Sequence, residues 1–286
     1  MTDYLEGLEY DAELDVLAHA ISNVTPGVYS NPTRMQIDDM GHVVDISSGG
    51  FDTGYIEGLA MEYAGPDYIG LFPGAAYVPG YNRVVTLEAY ETRTIFPSPG
   101  ANGIRYVYLD EVNGIGQVHV SDVAPALPYF GNARTMTGDN TKRYLGMLKW
   151  SAAGVMLQFD HKVFGGATTF VLYGFRHNNA LLRVVDNYSS TTLARTNIGP
   201  AGTDAAKRLV GPGARTAWMY VLVEGISGVG NGYVGEPSLG VVNAPGVKGH
   251  GDGYMFARLN AGDIAYHVST TGVQLTAYVA GYYEDR

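Results

Sequence analysis

The feature that most constrains this chain is a long series of short apolar runs, which begins near Tyr68. Each run spans only a few residues, is rich in β-branched and aromatic side chains, and ends at Gly, Pro or Asn. These are the properties of β-strands joined by tight turns. The clearest runs are 84–90, 92–96, 105–109, 117–120, 169–173, 180–185, 217–223, 253–259, 263–268 and 273–279. Because no crossover helices separate them, the pattern predicts an all-β fold that ends in a β-sandwich or jelly roll.

Composition agrees with this prediction and excludes some chemistry. The chain has 39 glycines and 22 tyrosines, and 46% of its residues are hydrophobic, which suits packed sheets with many turns. It has no cysteine, so disulfides, thiolate metal sites and thiol nucleophiles are excluded. Met1–Tyr10 is acidic and lacks the basic start of a secretory signal, and no apolar run is long enough to span a membrane.

A different periodicity marks the segment from Tyr10 to Val24. Its apolar residues are spaced by four and three positions in alternation, which predicts one stripe of a short helix. The stripe consists of Tyr10, Leu14, Leu17, Ile21 and Val24. Two heptads do not make a coiled coil that is stable alone, so two interpretations remain open. The stripe packs on its own domain, or it is an oligomer or docking seam.

The alternation after this segment predicts a β-hairpin over 35–46 with a turn at 39–41. Together with a composition shift near 146–165, these patterns predict four parts. They are an acidic attachment segment of helix and hairpin at 1–66, a β module at 67–146, a connector at 147–166 and a C-terminal β-sandwich module at 167–286.

The net charge of −10 belongs to the first part of the chain. Residues 1–66 contain twelve acidic side chains and one basic side chain, Arg34, whereas the rest has sixteen acidic and seventeen basic ones. Nucleic acid is a poor partner for such a chain, because backbone binding requires a basic face. The acidic segment is either simply solvated or docks onto a basic partner.

No motif predicts a catalytic or cofactor site. Gly230-Asn231-Gly232-Tyr233-Val234-Gly235 fits a dinucleotide fingerprint, but Pro237 follows where a helix is needed, so a glycine-rich loop is predicted instead. The seven histidines form no closely spaced metal-binding pair. Asp160-His161 and His250-Gly251-Asp252 resemble acid–base pairs, but surface turns are the simpler interpretation. We therefore expect no catalytic residues, metal or cofactor.

Two further sets of residues are candidates for binding or cleaving sugars. Glycoside hydrolysis requires two carboxylates about 5–10 Å apart, and Asp110 with Glu111 or Asp160 is a candidate pair. Exposed aromatic side chains can stack on sugar rings at a receptor site, although core or subunit contacts explain most aromatics in strands. The aromatic candidates are Trp150, Trp218, Tyr220, Tyr254, Tyr282 and Tyr283. No ligand-binding residue is assigned from these patterns.

Several segments resemble tailed-bacteriophage virion proteins of the tail-fibre, head-fibre or capsid-decoration type. Residues 31–49 are similar to a short strand–turn–strand element of tail fibres, although His42 stands where those proteins more often have Arg. The order of Pro73–Gly80, Arg105–Asp110 and Lys142–Gly146 also resembles such proteins, as does 281–284. The resemblance implies a structural virion subunit, assembled as a homotrimer in the bacterial host cytoplasm.

The expected function is therefore assembly rather than catalysis. An N-terminal region would attach the subunit to portal, tail or major capsid protein, and a β module would contact host-surface glycan or stabilise the particle. A glycan-degrading tail enzyme and a carbohydrate-binding module outside a virion remain the alternatives. Neither nucleic acid nor membrane insertion is expected.

Overall fold

The structure is a computed structural model in which two compact units divide the chain, Met1–Asp52 and Thr53–Arg286. The residues that it describes in full are 53–95, 98–164, 167–174, 182–225, 230–237 and 251–286. Five further short strands, at 8–11, 16–19, 34–37, 43–47 and 246–248, are described by their backbone. Throughout these residues the fold is built from antiparallel strands, and none of them is α-helical.

The described strands of the first unit form two antiparallel pairs. Strand β1 (Leu8–Asp11) pairs with β2 (Val16–His19), and β3 (Arg34–Ile37) pairs with β4 (Val43–Ser47). The second pair confirms the predicted hairpin, because an alternating pattern on both sides of a short turn specifies two paired strands.

The first pair replaces part of the helix that the sequence predicts. Tyr10 lies directly opposite Leu17 in the register of β1 and β2, so these two members of the predicted seam are cross-strand partners. A spacing of seven fits two helical turns, but it also fits two strands joined by residues 12–15. The helix therefore does not hold at Tyr10 and Leu17, and Leu14, Ile21 and Val24 lie outside the described residues.

The second unit contains the remaining strands. They are β5 (Ile56–Gly58), β6 (Met61–Gly65), β7 (Tyr68–Leu71), β8 (Gly74–Val78), β9 (Arg83–Leu87), β10 (Glu91–Thr94), β11 (Ile104–Val112), β12 (Ile115–Ser121), β13 (Thr135–Met136), β14 (Asp139–Lys149), β15 (Phe159–Val163), β16 (Thr168–Tyr173), β17 (Arg183–Tyr188), β18 (Ala194–Asn197), β19 (Ala214–Gly225), β20 (Asn231–Gly235), β21 (Gly246–Lys248), β22 (Gly251–Arg258), β23 (Asp263–Val268) and β24 (Val273–Asp285). Each of the ten predicted runs coincides with or overlaps one of these strands, which confirms the all-β prediction.

A nine-stranded antiparallel sheet organises this unit. Its order is β10-β7-β6-β15-β16-β24-β19-β22, and β17 pairs with β24 beside this path. The other described strands of this unit form three smaller sheets, with the orders β12-β11-β14-β13, β18-β23-β20-β21 and β5-β8-β9. One core cluster includes residues of all four sheets, such as Val171, Leu109, Ile264 and Val85. The inner face of the large sheet is therefore covered by the smaller sheets.

The hairpin between β11 and β12 shows how local sequence fixes a connection. Val112 pairs with Ile115, which leaves Asn113 and Gly114 as a two-residue loop with φ values of 54° and 84°. Two positive φ values are what a tight turn between right-twisted strands requires, and Asn-Gly adopts them most readily. The turn predicted at this dipeptide is confirmed.

The units do not coincide with the four parts predicted from composition. The division falls after Asp52, so β5 and β6 belong to the second unit although they lie within the predicted segment 1–66. In the predicted connector 147–166, β15 pairs with both β6 and β16, and Trp150 is 1% exposed in the core. A sheet joins strands that are distant in sequence, so a composition shift along the chain need not mark a boundary.

Candidate functional site

The structure separates the six aromatic candidates into two groups. Trp150 and Tyr282 are 1% and 0% exposed and belong to the core. The other four, Trp218, Tyr220, Tyr254 and Tyr283, lie together on the opposite face of the nine-stranded sheet. Since side chains alternate between the two faces of a strand, Tyr282 and Tyr283 must point in opposite directions.

Strand register brings these rings together. Phe170 of β16 lies opposite Tyr283 of β24. Two positions before Tyr283 on the same strand, Gly281 lies opposite Trp218 of β19. On its other side, Trp218 lies opposite Phe256 of β22. Directly opposite residues share a face, so four neighbouring strands contribute to one surface. A Cβ at Gly281 would lie 2.5 Å from the Val171 carbonyl oxygen and 3.2 Å from the Phe170 ring, so a larger residue would disturb this packing.

The rings form a continuous surface that we call the aromatic face. Its members are Phe164, Phe170, Trp218, Tyr254, Phe256 and Tyr283. Ring centroids are 4.6 Å apart for Phe170 and Tyr283, 4.9 Å for Trp218 and Tyr254, and 6.1 Å for Phe170 and Trp218. Phe164 and Phe256 lie 6.1 and 6.0 Å from Tyr283. Offset and tilted contacts at these distances are favourable for aromatic pairs.

Three rings of the aromatic face are substantially open to solvent. Phe164 is 63%, Phe256 is 55% and Tyr254 is 46% exposed. Scattered exposed apolar residues are common, but a contiguous exposed patch typically marks a contact surface. Tyr220 packs below Tyr254 at 5.2 Å and is itself 5% exposed, so it supports the face rather than forming it.

Charged groups around the aromatic face have partners within the chain. Lys162 pairs with Asp160 at 3.1 Å, Arg215 with Asp285 at 2.7 Å and Arg258 with Glu236 at 3.6 Å. Tyr220 donates its hydroxyl hydrogen to Asp252, and burial together with this bond raises the pKa of Tyr220 to about 12. The border of the face is therefore mixed in sign and close to neutral, which does not favour a highly charged partner.

The acid–base candidates Asp160 and His161 lie on opposite faces of one strand. Asp160 and His161 are neighbours on β15, so Asp160 is exposed while His161 is 4% exposed in the interior. His161 Nδ1 accepts the Met61 amide hydrogen at 2.9 Å, and burial, assisted by Arg286, holds the pKa of this imidazole well below its usual value. These residues form a strand and not the predicted surface turn. His250 lies outside the described residues.

Asp110 and Glu111 lie in a network of ion pairs. Lys142 Nζ contacts Asp139 at 2.6 Å and Asp110 at 3.5 Å, and Arg83 contacts Glu111 at 2.6 Å. Although burial opposes it, hydrogen bonds from Lys142 and Thr141 lower the pKa of Asp139 to about 2. Asp110 and Glu111, the adjacent carboxylates of the candidate pair, are therefore each in contact with a cationic side chain.

A buried polar cluster on the inner face was not anticipated from the sequence. Glu284 is 1% exposed, and its Oε1 accepts hydrogen bonds from the Tyr144 hydroxyl at 2.8 Å and the Gly213 amide at 3.2 Å. Burial raises the pKa of Glu284 to about 7. Arg286, which is 0% exposed, donates to the carbonyl oxygens of Leu59 and Gly58. These contacts join distant segments, and no spacing in the sequence reports them.

The structure also bears on the glycine-rich motif, on metal binding and on membrane spans. The glycine-rich motif at 230–235 forms β20, which pairs with β21 and β23, so it is a strand rather than the predicted loop. Among the described residues, no group of three or more His, Asp or Glu side chains is arranged to hold a metal ion. Within the same part of the chain no helix is long and apolar enough to cross a membrane.

Comparisons with known proteins add no relationship to these observations. No protein-family model matches the chain, and neither the curated proteins nor the solved structures contain a match.

Proposed function

We propose that this protein is a non-enzymatic structural subunit that works by assembling with copies of itself. The observation that carries the proposal is the aromatic face, a contiguous set of rings on the open side of a sheet whose other side is packed. Exposed aromatic clusters of this kind are stabilised when a protein partner covers them, because aromatic side chains contribute strongly to interface energy.

The polar border supports a protein partner over a sugar. Recognition of a sugar requires donors and acceptors that are available to its hydroxyl groups, in addition to a ring for stacking. Here Asp285 accepts hydrogen bonds from Thr168 and Asn132 besides its pairing with Arg215. Three members of the face are phenylalanines, which offer no hydrogen bond at all.

The proposal places the subunit in a tailed-bacteriophage virion as a fibre or decoration protein. Support comes from the resemblance of residues 31–49 and of the later glycine- and tyrosine-rich segments, and from the charge distribution. The first unit, Met1–Asp52, has ten acidic side chains and one basic side chain, which suits attachment to a basic surface of a portal, tail or major capsid protein. The second unit would then supply the self-assembling body.

A glycan-degrading tail enzyme is the alternative from another class, and a carbohydrate-binding module is the third. Incubation of the purified protein with host capsular or lipopolysaccharide glycan distinguishes the structural subunit from the glycan-degrading enzyme. We expect no shortened products, and a time-dependent decrease in glycan length would reject the non-enzymatic proposal. Retention on immobilised glycan that Tyr254→Ala abolishes would favour the third.

Immunogold electron microscopy of phage particles from the producing host tests the location. An antibody against the chain should label intact virions at a regular position. Deletion of residues 1–27 should remove the protein from particles while leaving the second unit folded and associated. Label restricted to the soluble fraction of the lysate would contradict the virion assignment.

A further inference from the structure

Among the strands that the structure describes, β22 is the last strand at one end of the nine-stranded sheet. Within that part of the chain it pairs with β19 alone. It contains no proline and no lysine, and Gly251 and Gly253 are partly exposed. An edge strand with unpaired backbone groups is a ready template for another strand, and proteins that do not use such an edge usually protect it.

The sequence of β22 is complementary to itself when two copies run antiparallel. With Met255 opposite Met255, Asp252 of one copy lies opposite Arg258 of the other, and Tyr254 lies opposite Phe256. Opposite charges and aromatic pairs at directly facing positions both stabilise antiparallel strands. A two-fold axis through Met255 produces each of these pairs twice, as an isologous interface requires.

The faces of the sheet restrict the register further. Asp252, Tyr254, Phe256 and Arg258 alternate onto the outer side, whereas Ala257 is 1% exposed on the inner side. A shift by one residue would place one copy's aromatic residues opposite the other copy's inner face. A shift that keeps the faces aligned, with Tyr254 opposite Tyr254, would place Asp252 opposite Phe256. The register centred on Met255 is thus the one that pairs the charges and joins the two aromatic faces.

Both charged groups are accessible for this pairing. The Arg258 side chain is 76% exposed, and its Nε lies 3.6 Å from Glu236 Oε2, which is long for an ion pair. Asp252 is exposed and accepts one hydrogen bond from Tyr220, which leaves further lone pairs on its carboxylate. Neither side chain must leave a buried site to reach the second copy.

We propose that two copies of this protein associate edge to edge through antiparallel β22–β22 pairing centred on Met255. The nine-stranded sheets of the two copies then continue into each other, and the aromatic faces merge across the two-fold axis. This inference rests on the proposed function in taking the chain as a self-assembling subunit. It specifies a dimer as the building block, whereas the resemblance to phage fibres implies a homotrimer.

Charge reversal with complementation tests this register. Light scattering on the full chain should give twice the 30.6 kDa mass of one copy. Asp252→Arg places two arginines opposite each other, and Arg258→Asp places two aspartates opposite each other, so each variant alone should dissociate at least tenfold more readily. When the two variants are mixed, the introduced arginine faces the introduced aspartate, and the remaining native Asp252 and Arg258 face each other. A heterodimer should therefore form with near wild-type affinity.

Arg93→Asp is the matched control, because Arg93 is an exposed, ion-paired residue of the same sheet on β10, at the opposite end of the described strand order from β22. It should leave the dimer unchanged, and circular dichroism should show that all variants retain the fold. A monomeric or trimeric wild type, or single variants that dimerise as well as the wild type, would overturn the β22 pairing.

The two proposals can fail separately. If virions are labelled but charge reversal has no effect, the protein is a virion subunit that assembles through another surface. If complementation restores the heterodimer but virions are not labelled, the pairing stands and the virion assignment is wrong.

Discussion

The two faces of strand β24 differ in the solvent exposure and the surroundings of their side chains, although they share one backbone. On the inner side, Tyr282 and Glu284 are 0% and 1% exposed, and burial raises the pKa of Glu284 to about 7. On the outer side, Tyr283 lies 4.6 Å from Phe170 in the aromatic face, and Asp285 pairs with the exposed Arg215. The inner face therefore holds the fold together, while the outer face carries side chains that are partly exposed to solvent.

The largest expected effect is a difference in stability loss between substitutions of two adjacent tyrosines. Tyr282→Ala removes a fully buried ring and should lower the free energy of unfolding by about 3–5 kcal/mol, because the cavity cannot close completely. Tyr283→Ala, the matched control on the outer face, should cost about 1 kcal/mol. Urea denaturation measures both values. Equal losses would show that the two faces are buried to the same extent.

The second prediction concerns pH and the buried Glu284. Its pKa is about 7 in the folded state against 4.5 as the usual value, so folding takes up a proton between these values. The contribution of Glu284 to stability is present below pH 4.5 and is lost as pH rises to about 7, by about 3 kcal/mol in total.

Comparison with Glu284→Gln isolates this contribution, since glutamine does not titrate. The free energy of unfolding of the variant should gain about 3 kcal/mol relative to the wild type between about pH 4 and pH 8. The comparison is necessary because His161, whose pKa is lowered by burial, contributes with the opposite sign and loses stability as pH falls. A constant difference across this range would contradict the raised pKa of Glu284.

The third prediction compares two tyrosine–glutamate hydrogen bonds. Tyr144 donates to the buried Glu284 at 2.8 Å, whereas Tyr90 donates to the exposed Glu62 at 2.6 Å. Tyr144→Phe should cost about 2 kcal/mol, because it leaves a buried carboxylate with one donor fewer. Tyr90→Phe should cost less than about 0.5 kcal/mol, because water replaces the hydroxyl. Thermal denaturation should rank the two variants in this order.

The smallest effect on stability is expected at the outer edge. Phe256→Ser changes a ring that is 55% exposed and should alter the free energy of unfolding by less than about 1 kcal/mol. The same variant should weaken self-association about tenfold or more in sedimentation experiments, because it removes a cross-strand aromatic pair at the proposed contact. Phe72→Ser, in a ring that is 43% exposed beyond β7, should change neither property. If Phe256→Ser strongly lowered the free energy of unfolding but left self-association unchanged, the assignment of the two faces would be reversed.

The strands were predictable because their signal is local. Alternating side chains and β-branched residues identify runs such as 169–173 and 263–268, and Asn113-Gly114 fixes a turn through its own backbone preferences. The helix predicted from Tyr10 onward shows the limit of this signal. A seven-residue spacing of Tyr10 and Leu17 is shared by a helical stripe and by a hairpin, so periodicity alone does not decide between them.

The sequence predicted that a candidate site would contain aromatic side chains, but it did not identify which ones. The sequence indicated three members of the face, Trp218, Tyr254 and Tyr283, together with one tryptophan and two tyrosines that are buried, Trp150, Tyr220 and Tyr282. It missed Phe164, Phe170 and Phe256, since an aromatic residue in a strand carries no mark of the face that it occupies. Only the strand register and the bulge between Trp218 and Met219 decide which rings meet.

The sequence by itself determined that this protein is built from β-strands, that its acidic charge lies in the first quarter of the chain, and that no recognised catalytic motif is present. Tertiary structure alone decided that 53–286 form one unit, that Glu284 is buried beside Tyr144, and that rings from four strands share an open face. The reason is physical. Alternation along one strand is a local property, whereas pairing between strands joins residues that are far apart in the chain, such as Phe170 and Tyr283.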